Sequence, residues 1–385
     1  MPKYERWWKM PKRHIHKGVM GLGRRLERDL QHNTLFTDWL RLLTNRAYSG
    51  MEPGKFKFAR PVLEGNQAVV LNAIANIYQT ILSRICVHRP RPRFLTVDGD
   101  WGQRRKAQRL QRFVEGTFQE TQAYHHTTRA FSDAIWSGTG YVKVFAVHNR
   151  IKVERVFPGE ILVDEAGAID GNPRSLFQKK YVPAEVLTEV FPKRRKEIER
   201  AMTQRGGIED GYVTMTDLVE VCDAWHPPSG PAATDGRHCI CIDGSTLFDG
   251  PWVLSRFPLA VCRYTQLPIG WYGQGLVEQI KPLQQEKDKL LRRIQKAMQL
   301  FASAQLIAEE GSIQKDKLSN EEGIIVWVKP GATPPQVYTP GSMSGQVFTH
   351  VDWLDRKEYE VSGVSQLSAT SQKPAGDLSG VALRT

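Results

Sequence analysis

The sequence predicts an α+β protein, on three observations. Apolar residues recur at helical spacing between residues 34 and 136, strict alternation takes over at Tyr141, and a helical pattern of more than thirty residues returns at Gly275. In chain order, residues 34–48 place Leu35, Phe36, Trp39, Leu40 and Leu43 on one face, and residues 66–84 place Val69, Val70, Ala73, Ile74, Ile77 and Leu82 likewise, so both read as amphipathic helices. Arg89-Pro90-Arg91-Pro92 cannot continue the second: proline lacks an amide hydrogen and pushes its predecessor out of the helical region, so this run is extended. After Gly102, Arg105, Arg109 and Arg112 fall on one side while Leu110, Phe113, Val114, Thr117 and Phe118 line another, which predicts a helix with one basic face. A further helix spans 127–136.

Ser137-Gly138-Thr139-Gly140 is a turn. Residues 141–148 and 151–156 then alternate around His148-Asn149-Arg150 as a β-hairpin, and 158–164 extend the sheet. Pro183 suits the first position of a helix carrying Val186, Leu187, Val190 and Phe191; Pro192 interrupts it, and its charged continuation ends at Gly206-Gly207. Short strands at 218–225, 238–242 and 257–264, separated by Pro227-Pro228-Ser229-Gly230-Pro231 and Asp243-Gly244, predict a small β subdomain. From Gly275 to about Glu309, Leu290, Ile294, Met298 and Phe301 form one stripe, with Lys281, Lys287, Lys289, Arg292, Arg293 and Lys296 on the others. At ~1.5 Å per residue such a helix is roughly 45–50 Å long, more than a compact domain needs, and Pro282 either kinks it or marks its first turn. A strand at 324–328, a Pro/Gly-rich connection at 330–344, a helix around 353–361 and a small-residue loop at 363–380 follow.

The 385 residues carry Lys+Arg 53 against Asp+Glu 41, a formal net charge of +12, which favours polyanionic partners: nucleic acid or acidic membrane surfaces. Lys3, Arg6, Lys9, Lys12, Arg13, Lys17, Arg24, Arg25 and Arg28 are interleaved with Trp7, Trp8, His14 and His16. Such a stretch could lie on a membrane, grip nucleic acid, pack its rings on a neighbouring subunit, or form a solvated tail; the missing sustained apolar face argues against the membrane. Neither a run of ~18 apolar residues nor an apolar leader is present, so no spanning helix or signal peptide is predicted. Five scattered cysteines predict reduced thiols and not a disulfide scaffold.

Signatures of catalysis are thin. No phosphate-binding loop of Walker type is present, and Gly18-Val-Met-Gly-Leu-Gly lacks the order of a dinucleotide fingerprint. His238-Cys239-Ile240-Cys241 brings potential ligands together with Cys222, but Cys-x-Cys on a strand points both thiols to one face without zinc spacing, which predicts small buried side chains. Asp98 with Asp100, and Asp164 with Glu165, are the carboxylates that a Mg²⁺-dependent, nuclease-like DNA-processing enzyme would use; each pair lies beside a glycine, where a turn is the plainer reading. No metal and no cofactor is predicted.

The order of segments is more informative. Gly138-Thr-Gly-Tyr-Val-Lys-Val-Phe, Val153-Glu-Arg-Val-Phe-Pro-Gly-Glu-Ile-Leu-Val-Asp164, Phe257-Pro-Leu with Tyr264, Gly270-Trp-Tyr-Gly-Gln-Gly-Leu-Val-Glu278, Pro282-Leu-Gln-Gln-Glu286 and Ser379-Gly-Val-Ala-Leu383 occur in succession. This succession, spanning about 65 to 385, resembles the portal proteins of tailed double-stranded DNA bacteriophages. The resemblance implies a non-enzymatic ring, usually of twelve copies, at one capsid vertex, through which DNA is packaged and ejected. It implies as partners the other copies of the chain, double-stranded DNA without sequence preference, major capsid and scaffolding proteins, the terminase large subunit and head-to-tail adaptor or tail proteins. The place implied is the virion, with host cytoplasm during assembly and no stable membrane insertion.

On that resemblance, 1–30 is a basic N-terminal tail, 31–182 the first part of the wing, 183–216 the first stem helix and its approach, 217–272 the clip, 273–310 the second stem helix, and 311–385 the rest of the wing with a channel loop. Portals normally continue into a crown; the sequence stops at Thr385, and no crown is assigned. Lys281, Lys287, Lys289, Arg292, Arg293 and Lys296 are candidates to face DNA or a neighbouring subunit. Gln366, Ser368, Ser371 and Lys373 are channel-loop candidates, and Trp225, His226, Pro228 and Arg237 are candidates for the clip surface that meets motor and adaptor.

Overall fold

A computed structural model describes residues 6–45, 47–48, 58–59, 70–96, 99–147, 150–203, 217–302, 305–307, 331, 336–338 and 344–365. Helices α1 (Ile15–Leu30) and α2 (His32–Thr44) are separated by Gln31, whose left-handed backbone (φ 49°) redirects the chain. Strands β1 (Ala47–Tyr48) and β2 (Phe58–Ala59) pair antiparallel. Helix α3 (Ala73–Cys86) begins later than the apolar period from residue 66 predicts, because Asn72 caps it: Oδ1 accepts from the Ala75 amide at 3.0 Å while Nδ2 donates to the Leu42 carbonyl at 2.8 Å. Helices α4 (Trp101–Glu120) and α5 (Ala123–Ser137) follow.

The change of period at the following turn is real. Strands β3 (Thr139–Val147) and β4 (Arg150–Val156) form the predicted hairpin, in register from Tyr141↔Val156 to Val147↔Arg150. Next come β5 (Ile161–Leu162), β6 (Leu176–Pro183), α6 (Ala184–Val190), α7 (Arg195–Thr203), β7 (Leu218–His226), β8 (Arg237–Ile242), β9 (Ser245–Pro251) and β10 (Leu259–Arg263). The long helix α8 (Leu276–Ala302) holds Pro282 in its interior; β11 (Gln305–Ile307) pairs with β12 (Gln336–Tyr338), and α9 (Gly345–Ser362) closes the described chain.

The architecture is mixed α+β. One antiparallel sheet has the order β5-β6-β7-β8-β9 and another the order β10-β3-β4. The larger sheet runs across two of the predicted boundaries: β6, assigned to the wing, pairs with β7, assigned to the clip, from Leu176↔Trp225 to Pro183↔Leu218. Conversely β10 leaves the clip segment to pair with β3, with Leu259 opposite Lys143. Alternation identifies strands but not their partners, which depend on contacts distant in sequence. Between β6 and β7, the segment expected to approach a stem is two short helices, α6 and α7, joined at a 3₁₀ turn beginning at Pro192 and pinned to the sheet by buried Leu187 and Ile198.

Residues 7–30 are not a solvated tail. Trp7 is 1% exposed and packs with Ile15, Val19 and Met20 over Leu162, Phe177, Cys222, Ala224, Cys239 and Cys241 of the larger sheet. The predicted parity of the cysteines holds: both thiols of the Cys-x-Cys pair are buried on one face, and together with Cys222 and Ala224 they leave a surface low enough for a helix to sit on. Lys179 ties this helix down by pairing with Glu27 of α1 and with Glu220 at 2.9 Å, while Arg24 reaches Glu220 and Asp243, each at 3.1 Å. The indoles therefore pack on the sheet of their own chain. A second core joins Phe36, Trp39 and Leu43 of α2, Ile74 and Ile77 of α3, Ile135 and Trp136 of α5, Leu276, Val277 and Ile280 of α8, and Tyr359 of α9.

Candidate functional site

The segments Ser137–Gly140 and Gly270–Gly275, distant in sequence, meet where α8 begins. Helix α5 ends on Gly138, whose φ of 93° is open only to glycine at low cost, and a Cβ there would stand 2.0 Å from the Gly273 carbonyl oxygen. A Cβ on Gly140 would stand 1.8 Å from the Ala130 carbonyl oxygen, so β3 runs against the backbone of α5. The Tyr264 amide donates to the Gly138 carbonyl at 3.0 Å, and the Gly273 amide to Thr139 Oγ1 at 2.8 Å. Side chains lock the same junction: Trp271 Nε1 donates to the Tyr141 hydroxyl at 3.2 Å, Arg263 Nε to the Trp271 carbonyl at 2.7 Å, and the Tyr272 hydroxyl to the Ile161 carbonyl at 3.2 Å. The base of the long helix is thus set by backbone against backbone, flanked by rings that join both sheets.

From this base α8 turns one side inward. Ile280, Gln284, Lys287 and Ile294 are buried along it, and Gln284 Nε2 donates to the Leu71 carbonyl at 3.0 Å and to Asp288 Oδ1 at 2.9 Å. Lys287 is 0% exposed; its Nζ lies 2.5 Å from Glu358 Oε2 and 3.0 Å from Asp355 Oδ1, joining α8 to α9. Lys287, one of the residues selected to face DNA or a neighbouring subunit, is interior to its own chain because it shares the helical face of Ile280 and Ile294. Glu358 is fully enclosed, with Oε1 lacking a hydrogen-bond partner, and burial pushes its carboxyl up to about 7 against the opposing pull of Lys287. On the other faces Lys289, Arg292, Arg293 and Lys296 are exposed and Lys281 is half-buried; Lys289 sits 3.4 Å from Glu286.

Residues 235–375 match a family model described as Phage SU10 portal protein. The match supports a phage portal protein. It covers β8, β9, β10, α8 and α9, and so includes the glycine junction's second arm and the whole basic helix. No curated protein matches the chain.

The aromatic and basic residues selected for the clip surface are largely interior. Trp225 is 1% exposed, with Lys143 Nζ 4.6 Å from its ring centroid and His238 stacked on it at 5.3 Å. His226 is 2% exposed, stacked on Trp8 at 3.9 Å, and its Nδ1 lies 2.8 Å from the Arg174 carbonyl oxygen. Arg237 grips Asp249 with two hydrogen bonds of 2.8 and 2.9 Å and donates to the Trp8 and Met10 carbonyls at 3.0 and 2.7 Å, fastening the N-terminal segment to the sheet. Pro228 lines an open cavity of about 600 Å³ with Arg174, His226, Arg256 and Trp271. Sequence alternation located this strand but gave no sign that residues 7–10 cover it.

A buried polar relay escaped the sequence reading. Lys143 Nζ donates to Gln178 Oε1 at 2.8 Å and to Asp223 Oδ2 at 2.9 Å, and His238 Nε2 lies 2.6 Å from Asp223 Oδ1. Burial raises the cost of the Asp223 charge, but the hydrogen bond from His238 and the Lys143 ammonium outweigh it and hold the carboxyl below its usual range. The signal was available, since Lys143 has the strand parity of buried Tyr141. The carboxylates considered for metal chemistry have other roles: Asp100 caps α4 by accepting from the Gln103 amide at 2.8 Å, Asp164 and Glu165 lie exposed in a loop, and Asp98 falls outside the described residues. Among the described residues no group of three His, Cys, Asp or Glu could hold a metal ion, and no helix is long and apolar enough to cross a membrane. Gln366, Ser368, Ser371 and Lys373 lie outside the described residues.

Proposed function

We propose that this chain is the subunit of a ring-shaped phage portal: a channel at one capsid vertex for DNA packaging and ejection that docks the terminase motor and later the tail adaptors, without catalysis of its own. The observation that carries this reading is the portal-family match over 235–375, the span that contains α8 and its docking partner α9. The physical form of α8 supports it. One side is dry and fixed, while Lys289, Arg292, Arg293 and Lys296 stand in solvent, where ammonium and guanidinium groups meet backbone phosphates without reading bases. A conduit needs that combination, because a groove that bound particular sequences would stall the moving duplex. The ring is expected to contain twelve copies, as is usual in the family that the sequence resembles.

Native mass measurement with negative-stain imaging tests the proposal. A closed ring of uniform subunit number is the expected result, and a chain that stays monomeric at micromolar concentration overturns it. DNA retention by the ring should fall steeply and equally for unrelated sequences as salt rises.

A further inference from the structure

Helix α4 has twenty residues and buries none of them. An amphipathic helix in water derives most of its stability from packing an apolar face, so a helix of this kind calls for a cover. Lys106, Arg109, Leu110 and Phe113 recur at i, i+3, i+4, i+7 on one face, with Leu110 49% and Phe113 59% exposed, and Arg112 beside them. Their guanidinium and ammonium groups make no ion pair among the described residues. A symmetric pairing of α4 with α4 would oppose like charges and is disfavoured.

Helix α6 has the complementary surface. Glu185, Val186, Glu189 and Val190 share one exposed face, Val186 at 48% and Val190 at 62%, while Ala184 and Leu187 anchor the opposite side to the sheet. Neither glutamate has an ion-pair partner among the described residues. We propose that the basic, apolar face of α4 docks on the acidic, apolar face of α6 in the next copy of the chain, with Lys106, Arg109 and Arg112 opposite Glu185 and Glu189, and Leu110 and Phe113 against Val186 and Val190. The two faces are different parts of the surface, so the contact is head-to-tail, and repetition of a head-to-tail contact about a closing rotation generates a ring. This inference rests on the ring reading above and adds to it the surfaces that make the contact.

Charge reversal tests it. Arg109→Glu with Arg112→Glu makes α4 acidic, and Glu185→Lys with Glu189→Lys makes α6 basic. Each double variant alone should lose at least tenfold in ring fraction by native mass measurement, since every contact then opposes like charges. Mixed one to one, the two variants should assemble again as alternating rings, because the acidic α4 of one meets the basic α6 of the other and the unchanged faces also match; two misfolded proteins could not rescue each other. Assembly by either variant alone at the wild-type level overturns the α4–α6 contact, as does failure of the mixture. Loss of DNA retention by the α4 variant with its ring intact also overturns it, and assigns the face to nucleic acid. A wild-type chain that never assembles overturns instead the ring reading beneath it.

Discussion

Helices α4 and α8 look alike in sequence, each a long amphipathic segment with an apolar stripe and several lysines or arginines, yet they occupy opposite environments. Helix α8 starts from a backbone-fixed junction, buries Ile280, Gln284, Lys287 and Ile294, and uses one of its lysines as an internal fastener. Helix α4 buries nothing, and its Arg105 lies over its own Trp101 at 5.1 Å from the ring centroid. The difference teaches that a basic residue on a helix cannot be assigned to a polyanion from spacing alone. What decides is whether another element supplies a carboxylate on that face, as α9 does for α8 with Asp355 and Glu358.

The contrast can be broken most severely at Lys287. Lys287→Ala should destabilise the fold by about 3–5 kcal/mol in denaturant unfolding, because it leaves the Glu358 carboxylate enclosed without its cation. Pairing Lys287→Met with Glu358→Leu should recover most of that loss, since apolar replacements of similar size remove the need for compensation. Next in size, Gly140→Ala should cost about 3 kcal/mol, read as a lowered urea midpoint with an unchanged slope, as the added carbon must displace the backbone of α5. On α4 the corresponding change, Gly116→Ala, meets no atom within 4 Å and should stabilise or leave unchanged the monomer, by roughly 0.5–1 kcal/mol at most.

A further effect is read in pH, at Glu358 of α9 and His32 of α2. Glu358 has its carboxyl raised to about 7, so the folded state holds a proton that the unfolded chain releases near its ordinary value of 4.5. Its contribution is fully present below that ordinary value and is lost as pH rises through about 7. Stability measured from pH 4.5 to 7 should therefore decline by a component that Glu358→Gln abolishes. His32 works in the opposite direction: burial lowers it from 6.5 to about 4, so its contribution is present above 6.5 and lost as pH falls toward 4, and His32→Phe should remove that slope. The smallest effect is expected on the open side of α8, where Arg292→Gln with Arg293→Gln should change unfolding free energy by less than about 0.5 kcal/mol while reducing the salt dependence of DNA retention.

Local order was legible in the sequence. The hairpin of β3 and β4, the helix after Gly102 and the shared face of Cys239 and Cys241 follow from period and spacing, because those signals act within a few residues. The long helical pattern from Gly275 is shorter than its period predicts, ending at Ala302 before β11 instead of near Glu309. Long-range pairing was not. Nothing in residues 218–225 announces β6 as their neighbour, and nothing in the Trp7-Trp8 stretch announces a sheet of small side chains waiting for it. Among the residues chosen for function, Lys289, Arg292, Arg293 and Lys296 are indeed presented to solvent, whereas Lys287, Trp225 and His226 are interior because distant elements close over them. Lys143 shows the converse: it shares the strand parity of buried Tyr141, a signal the sequence reading did not use, and a lysine at such a position signals a buried anion.

The glycine junction gives α8 the properties of a lever arm on a stiff pivot. With 27 residues at ~1.5 Å each, the helix reaches about 40 Å, so a tilt of roughly 5° at its base would sweep the far end through about 3.5 Å. Side chains repack to absorb such errors, but carbonyl oxygens and amides in direct contact have no rotamers to change. Gly138, Gly140, Gly273 and Gly275 therefore set the angular tolerance with which the far end of the helix is aimed.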